Sequence, residues 1–195
     1  MKSTRLEAFS DAVIAIIMTI LVLELKIPHD TGLAALQPLI PVFLTYVMSF
    51  VYLGIYWNNH HHMFQATESV NGKVLWANMH LLFWLSLVPF VTGWMGENHF
   101  APLPTAFYGV VLLCAAIAYT ILQTAIVKHH DGKNALLAQA VGNDWKGKIS
   151  IVMYIIAIGS AFLHQWISHA LYAAVAIMWL VPDSRIEKRM AKQEG

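Results

Sequence analysis

The sequence predicts an all-α integral membrane protein with six transmembrane helices, in a single domain over residues 1–195. The first observation is composition: 58% of the 195 residues are hydrophobic and only 12% are charged, whereas a soluble domain has about 45–50% apolar and about 25% charged residues. The second is a series of six apolar runs, and the third is the distribution of lysine and arginine between them. A net charge of +1 and a single cysteine argue against a nucleic-acid partner, a disulfide scaffold and a multi-cysteine zinc site.

The six apolar runs are bounded by proline, glycine or polar residues, which are typical of the ends of membrane helices. The segments 58–72 and 128–148 are polar and predict loops. The last two runs have only about 15 residues, fewer than the roughly 20 that cross a bilayer. A helical hairpin that does not fully cross is therefore the competing interpretation there. The predicted spans cover about residues 8–27, 37–57, 74–94, 103–127, 149–163 and 167–181.

Lysine and arginine give the predicted orientation. Six spans place both termini on one side together with eleven of the twelve basic residues, and leave only Lys26 on the other side. The positive-inside rule therefore predicts a multi-pass protein of the cell's inner (plasma) membrane with cytoplasmic termini. Five spans would give a poorer division, seven against five. The eleven residues are Lys2, Arg5, Lys73, Lys128, Lys133, Lys146, Lys148, Arg185, Lys188, Arg189 and Lys192.

The first predicted helix contains charged residues within and beside its apolar run. Arg5 lies at its start, Asp11 follows, and Glu24 lies near its end. A charged group inside a span costs about 2.5–3.5 kcal/mol on insertion scales, which makes such groups functional candidates. Asp11 also interrupts what would otherwise resemble a signal sequence, and no small-x-small cleavage site precedes Pro28. These features favour a retained first helix.

A helical wheel of this segment separates an aliphatic face from a polar one. At about 100° per residue, Ile16, Ile20 and Leu23 fall within about 60° of one another. Asp11 lies about 140° from Ile16, almost on the opposite side. Contact of the stripe with lipid or with a neighbouring helix is the plainer interpretation of this pattern.

An ionised carboxylate near the bilayer needs a partner, and polar side chains stand at the corresponding ends of helices two and three. An indole, an imidazole and an amide can each donate a hydrogen bond to a carboxylate. We expect a structural network around Asp11 and no catalysis. Its candidate members are Trp57, Asn58, His60, His61, Asn78 and His80.

The pattern Arg5-x-x-x-Phe9-Ser10-Asp11, at the head of a first membrane helix, resembles the signature of the transmembrane protein 175 family of potassium channels. The resemblance covers nearly the whole chain in length, span count and topology. The chain contains a single copy of the motif and is in this respect similar to the bacterial members, which have six helices. Animal members have two six-helix repeats in one chain. Further similar positions are Trp57-x-x-His60-His61, Asn78 and Pro89-Phe90.

The resemblance implies a homotetramer in which helix one of each subunit lines a central pore, with potassium as the permeant ion and no cofactor. It places a hydrophobic constriction at Ile16, five positions after the motif aspartate, and Ile20 and Leu23 continue the line. It also assigns the motif side chains to a network that holds the pore helix. The network residues are Arg5, Phe9, Ser10 and Asp11, with Trp57, His60 or His61, and Asn78 as partners.

The sequence lacks the Thr-Val-Gly-Tyr-Gly filter of other potassium channels. Helix carbonyls are already bonded, so we expect a ring of Ile16 side chains to close the pore by dewetting and to give modest selectivity. Thr19 would add a weak polar ring, unless its hydroxyl bonds back to its own helix. Glu24 would attract cations at the outer mouth, or would be an ordinary helix-end acid paired with Lys26.

Other classes of protein compete with the channel. A proton- or cation-coupled transporter would use Asp11 and His80 as relay groups, but the chain shows no inverted repeat. The adjacent histidines at 60–62 and 129–130 lack the spacing of a closed metal site and are expected to be polar loop residues. No GxSxG or HExxH motif suggests an enzyme. The expected partners are the bilayer, potassium ions and further copies of the chain, with no structural metal and no nucleic acid.

Overall fold

The protein is described from a computed structural model that covers residues 2–65, 67, 69–129 and 144–180. Several features named above lie outside these residues. They are residue 181 at the end of the sixth predicted span, His130, Lys133, Arg185, Lys188, Arg189 and Lys192.

Seven α-helices form most of the described chain. Two short 3-10 segments accompany them, Leu21–Glu24 after the first helix and Leu33–Leu39 before the second. Among the described residues, β-pairing is limited to an isolated bridge between Lys2 and Ser69, so the prediction of an all-α protein is confirmed. The helices are α1 (Ser3–Ile20), α2 (Ile40–Gln65), α3 (Gly72–Ser86), α4 (Val88–Glu97), α5 (Pro102–His129), α6 (Trp145–Ser160) and α7 (Gln165–Leu180).

The seven helices fall into six apolar segments, because α3 and α4 belong to one stretch. Four stretches are long and apolar enough to cross a bilayer, judged by length and composition. The helices α6 and α7 have 16 residues each, and a helix of that length is about 24 Å long against a hydrocarbon core of about 30 Å. They are the short pair that the sequence predicts, and their length fits either interpretation given above. The four long stretches are Ser3–Glu24, Leu33–Gln65, Gly72–Glu97 and Pro102–His129.

The third long stretch is divided into α3 and α4 at Leu87. Pro89 lies in the first turn of α4 and has no backbone N–H, so it cannot make the helical hydrogen bond to the carbonyl of Leu85. The backbone N–H of Leu87 bonds the carbonyl of Trp84 at 3.2 Å, and that of Val91 bonds the carbonyl of Leu87 at 3.2 Å. The interruption of one span into two helices follows from this proline.

α2 is longer than predicted, because it continues to Gln65. The prediction of a loop from residue 58 was wrong over this segment. Part of this segment lies inside the bundle, where His60, Met63 and Phe64 are buried and His60 Nε2 bonds Asn78 of α3. The histidines at 60–62 are therefore helical, and His129 is the last residue of α5 and not part of a loop.

α1 packs against α2, α3 and α4. Ile14 of α1 and Leu21, the residue that follows the helix, are fully buried, whereas much of the remaining surface of α1 is exposed. Hydroxyl groups join the other helices: Ser49 of α2 contacts Thr92 of α4 at 2.6 Å and Tyr108 of α5 at 3.0 Å. The bundle thus holds α1 by one side only.

Candidate functional site

α1 has one buried face and one open face. The buried residues recur at intervals of three or four, which places them on one side of the helix. The open face carries the aliphatic stripe of the helical wheel, where Ile16 is 58% exposed and Leu23 is 76% exposed. The buried residues are Ser3, Leu6, Ser10, Ile14 and Ile17, continued by Leu21 of the following 3-10 turn. The exposed ones include Phe9, Ile16, Thr19 and Ile20, continued by Leu23.

A buried chain of hydrogen bonds joins three helices. His60 of α2 donates from Nε2 to Asn78 Oδ1 of α3 at 2.8 Å, and Asn78 Nδ2 donates to Ser10 Oγ of α1 at 2.9 Å. Ser10 donates in turn to the carbonyl oxygen of Leu6 at 2.9 Å. His60, Asn78 and Ser10 are fully buried, where an unpaired polar group costs about 1–3 kcal/mol. The chain therefore fixes α1 against α2 and α3.

A second set of contacts surrounds Asp11. Trp57 Nε1 donates to Asp11 Oδ1 at 3.1 Å, and the Trp57 ring stacks on the His61 ring with centres 5.9 Å apart. Gln65 Nε2 donates to His61 Nε2 at 2.8 Å. The proton of the neutral imidazole is then on Nδ1, which donates to Glu7 Oε1 at 2.8 Å. We call the two sets together the α1 anchor, which consists of Glu7, Ser10, Asp11, Trp57, His60, His61, Gln65 and Asn78.

Four of the candidate residues lie outside the α1 anchor: Arg5, Phe9, Asn58 and His80, of which His80 is described below. Arg5 is exposed, and no hydrogen bond or ion pair joins it to another residue that the structure describes. Phe9 is on the open face of α1, and the side chain of Asn58 is exposed on α2. Within one chain, the motif therefore acts on α2 and α3 through Ser10 and Asp11.

Glu7 is a member of the α1 anchor that sequence reasoning missed, because it occupies an unspecified position of the motif. Its side chain is only 15% exposed. The available signal was spacing: Glu7 and Asp11 are one helical turn apart, and so are Trp57 and His61 on α2. Two such pairs on neighbouring helices indicate a shared polar cluster.

The end of α1 winds more tightly than the helical wheel assumed. Residues Leu21–Glu24 form a 3-10 turn, which advances about 120° per residue, against about 100° in an α-helix. The additional rotation carries Glu24 away from the stripe, and its carboxylate lies against Gly93 of α4. Lys26 forms its ion pair with Glu97 at 2.6 Å, and this carboxylate raises the pKa of Lys26.

An open groove of about 740 Å³ lies beside the stripe, between α1 and the α3–α4 stretch. The Thr19 hydroxyl donates to the carbonyl oxygen of Ile16 at 2.8 Å, so it bonds its own helix. The groove is bordered by Ile16, Ile20, Glu24, Phe90, Gly93 and Glu97 among others.

His80 is not part of the α1 anchor. Its Nε2 accepts a hydrogen bond from Trp84 Nε1 of the same helix at 3.0 Å, and its side chain is exposed. It follows the buried Asn78 by two residues, which is about 200° around α3. In the part of the chain that the structure describes, no contact connects His80 with Asp11.

The arrangement holds one helix in place and leaves its aliphatic face free. The bonds between helices in the α1 anchor are those of Asp11 with Trp57, Glu7 with His61, Ser10 with Asn78 and Asn78 with His60. On the open face between residues 9 and 23 the one hydroxyl, that of Thr19, is bonded to backbone. That face therefore offers no group that would act as an acid, base or nucleophile.

Comparison with known proteins identifies relatives over nearly the whole chain. The sequence model of the family described as endosomal/lysosomal potassium channel TMEM175 matches residues 5–89, a range that includes the α1 anchor. A potassium channel of Chryseobacterium sp. (strain P1-3) is 53% identical over 190 residues, 97% of this chain and 98% of that protein. An endosomal/lysosomal proton channel TMEM175 of Danio rerio is 28% identical over 131 residues, 65% of this chain and 24% of that protein.

A solved structure has the same fold. It is the crystal structure of a lysosomal potassium-selective channel TMEM175 homolog from Chamaesiphon minutus, which matches with a TM-score of 0.80 at 28% identity over 92% of this chain and 96% of that chain. This match confirms the predicted all-α membrane fold. Since a relative of 53% identity is covered almost completely, the chain belongs to the TMEM175 family of ion channels and is not an enzyme.

Proposed function

We propose that four copies of the chain form a potassium-permeable cation channel of modest selectivity in the cell's inner membrane. α1 of each copy lines the pore, and Ile16, Ile20 and Leu23 form its constriction. The bacterial relatives compared above are named as potassium channels, which supports potassium as the permeant ion. The distribution of lysine and arginine supports cytoplasmic termini.

The observation that carries this proposal is the open aliphatic face of α1. The opposite face is held by Ser10 and Asp11, while Ile16 and Leu23 are 58% and 76% exposed in the single chain. One helix does not enclose a path for ions, so a pore requires several copies around a symmetry axis. A cyclic assembly would bring the free stripes to face one another.

Conduction through such a pore uses no carbonyl filter. The carbonyls of α1 are bonded within the helix, and the Thr19 hydroxyl is bonded to Ile16. Neither is placed to replace the hydration shell of an ion in the way that an extended filter does. A ring of Ile16 side chains closes the path by dewetting, and a wider ring admits a partly hydrated cation. Selectivity for potassium is then modest.

The α1 anchor determines where the stripe points. The Ser10 and Asp11 contacts fix the rotation of α1 relative to α2 and α3, so a movement of those helices turns the stripe. Glu24 borders the groove beside the stripe, far from the anchor along α1, and would raise the local cation concentration at the outer mouth. The participation of Arg5 and Phe9 in holding α1 stays a prediction.

Potassium efflux from liposomes that hold the purified protein tests the constriction. Ile16→Asn is expected to give faster and less selective efflux, because a polar amide keeps the constriction wet. The matched control is Ile155→Asn, since Ile155 on α6 is 56% exposed and Ile16 is 58% exposed. Efflux through Ile16→Asn that equals efflux through the control would remove Ile16 from the gate.

Potassium efflux from the same liposomes also distinguishes the channel from a proton-coupled transporter. The absence of a described contact between Asp11 and His80 speaks against a relay between them. Efflux that follows the potassium gradient alone supports the channel. Efflux that saturates and requires a proton gradient supports the transporter.

A further inference from the structure

We infer that Glu7, Asp11 and His61 form a binding site for a divalent transition-metal ion such as Zn²⁺, which joins α1 to α2. Each side chain offers one ligand atom, and these three atoms lie within 4.8 Å of one another. One imidazole nitrogen with carboxylate oxygens is a donor set that Zn²⁺ and similar ions accept. The site is separate from the proposed permeation of potassium, and it departs from the expectation that the chain has no metal site.

The two helices present the ligands by their spacing. Glu7 and Asp11 are one turn apart on α1, so their carboxylates lie on the same side, and His61 faces them from α2. Ligands about 2.0–2.2 Å from a tetrahedral ion lie about 3.4 Å from one another. Nδ1 of His61 and Oε1 of Glu7 are 2.8 Å apart, so metal binding requires this pair to separate by about 0.6 Å while the Asp11 oxygen comes within about 3.4 Å of both. Water takes the fourth position.

The surrounding groups already orient the ligands. Gln65 holds Nε2 of His61 and Trp57 stacks on its ring, which aims Nδ1 at Glu7. A metal-binding histidine commonly has its second nitrogen held by such a group. Trp57 bonds one oxygen of Asp11 and leaves the other for a metal ion.

The proton count of the site is balanced. A metal ion on Nδ1 displaces the proton that Nδ1 shares with Glu7, and that proton passes to solvent. Nε2 takes up one proton from solvent, so the imidazole stays neutral. Its new N–H donates to Oε1 of Gln65 once that amide has turned over.

The charge at the site favours a dication. The side chains of Glu7 and His61 are only 15% and 34% exposed, and two carboxylates with one imidazole share this small volume. Among the described residues, His61 is the group that hydrogen-bonds Glu7, and as a neutral imidazole it brings no positive charge to the site. Two ionised carboxylates this close repel each other, and a divalent ion compensates both charges. The ion also connects α1 to α2, so its binding stabilises the packed state of α1.

Calorimetric titration of the purified, tag-free protein with ZnCl₂ tests the site without measuring ion flux. We expect one Zn²⁺ per chain, a higher Tm in its presence, and at least about tenfold weaker binding in Glu7→Gln and in His61→Gln. Asp30→Asn and His164→Gln are the matched controls, because both side chains are exposed and lie outside the cluster. The controls are expected to bind as the unaltered protein does.

A second measurement uses only the unaltered protein, in case a variant does not fold. X-ray absorption of the bound zinc is expected to show one imidazole nitrogen and otherwise oxygen ligands. No binding by the unaltered protein, more than one imidazole on the zinc, or undiminished affinity in both Glu7→Gln and His61→Gln would overturn the proposal. A channel that conducts potassium and shows any of these results would still satisfy the proposed function.

Discussion

At the scale of single residues, the amide of Asn78 connects the two other fully buried side chains of the α1 anchor. Its oxygen accepts from His60 and its nitrogen donates to Ser10, and all three side chains are fully buried. Asn78→Ala leaves both neighbours without this partner, at about 1–3 kcal/mol for each unpaired group. We expect thermal unfolding of the purified variant to begin at least about 4 °C lower than in the unaltered protein.

The control for this prediction is Asn98→Ala. Asn98 is exposed at the end of α4, and its side chain donates to the carbonyl oxygen of Trp94 in α4. Removal of this exposed amide is expected to change the Tm only slightly. Equal losses of Tm in the two variants would show that the buried position of Asn78 has no special importance.

The residues alone predicted a polar cluster around Asp11, because a carboxylate near the bilayer needs donors and few were available there. The assignment of Ser10 to helices two and three came only from the resemblance to the family, and the functional roles of these residues stay predictions. Glu7 was missed, since charged residues at helix starts are usually solvated. The position of Glu24 depends on the 3-10 turn Leu21–Glu24, which the apolar residues 21–23 do not predict.

At the scale of helices, Gly96 sets the closeness of α2 and α4. A Cβ at this position would lie 2.7 Å from the Cα of Val42 and 2.7 Å from Oγ1 of Thr45. The Cα of Val42 is a backbone atom and cannot turn aside as a side chain can. An alanine at position 96 therefore requires α2 and α4 to move apart. Gly96→Ala is expected to destabilise the protein by about 1–3 kcal/mol, measured as a lower Tm.

Gly54→Ala on α2 is the comparison at the same scale. A Cβ there meets nothing within 4 Å in the chain, and alanine favours a helix over glycine by up to about 1 kcal/mol. This variant is expected to keep or raise the Tm. A lower Tm in Gly54→Ala than in Gly96→Ala would contradict the packing described here.

Helix ends were less predictable than the existence of helices. Residues 58–65 are polar, and a polar run after an apolar span usually indicates a loop. Here His60 is buried through a bond to Asn78, a contact with a residue 18 positions away that a local pattern does not contain. The break at Leu87 was likewise hidden inside one apolar run, although Pro89 supplied its cause.

At the scale of the whole molecule, the distribution of lysine and arginine predicts the number and the orientation of the spans. Six spans would place eleven of the twelve basic residues on one side, which favours an even number of spans. The match to a solved TMEM175 homolog confirms the membrane fold, and the orientation stays a prediction. The number of copies around the pore was not predictable from the residues, because one stripe on one helix fits a ring of any size.

The central claim is that the assembled chains conduct potassium along a path lined by α1. The most direct test is the bi-ionic reversal potential of the purified protein in a planar bilayer, with potassium on one side and sodium on the other and equal pH. We predict a steady current without a proton gradient and a reversal potential that favours potassium by a modest ratio. No current, or a current that requires a proton gradient, would contradict the account.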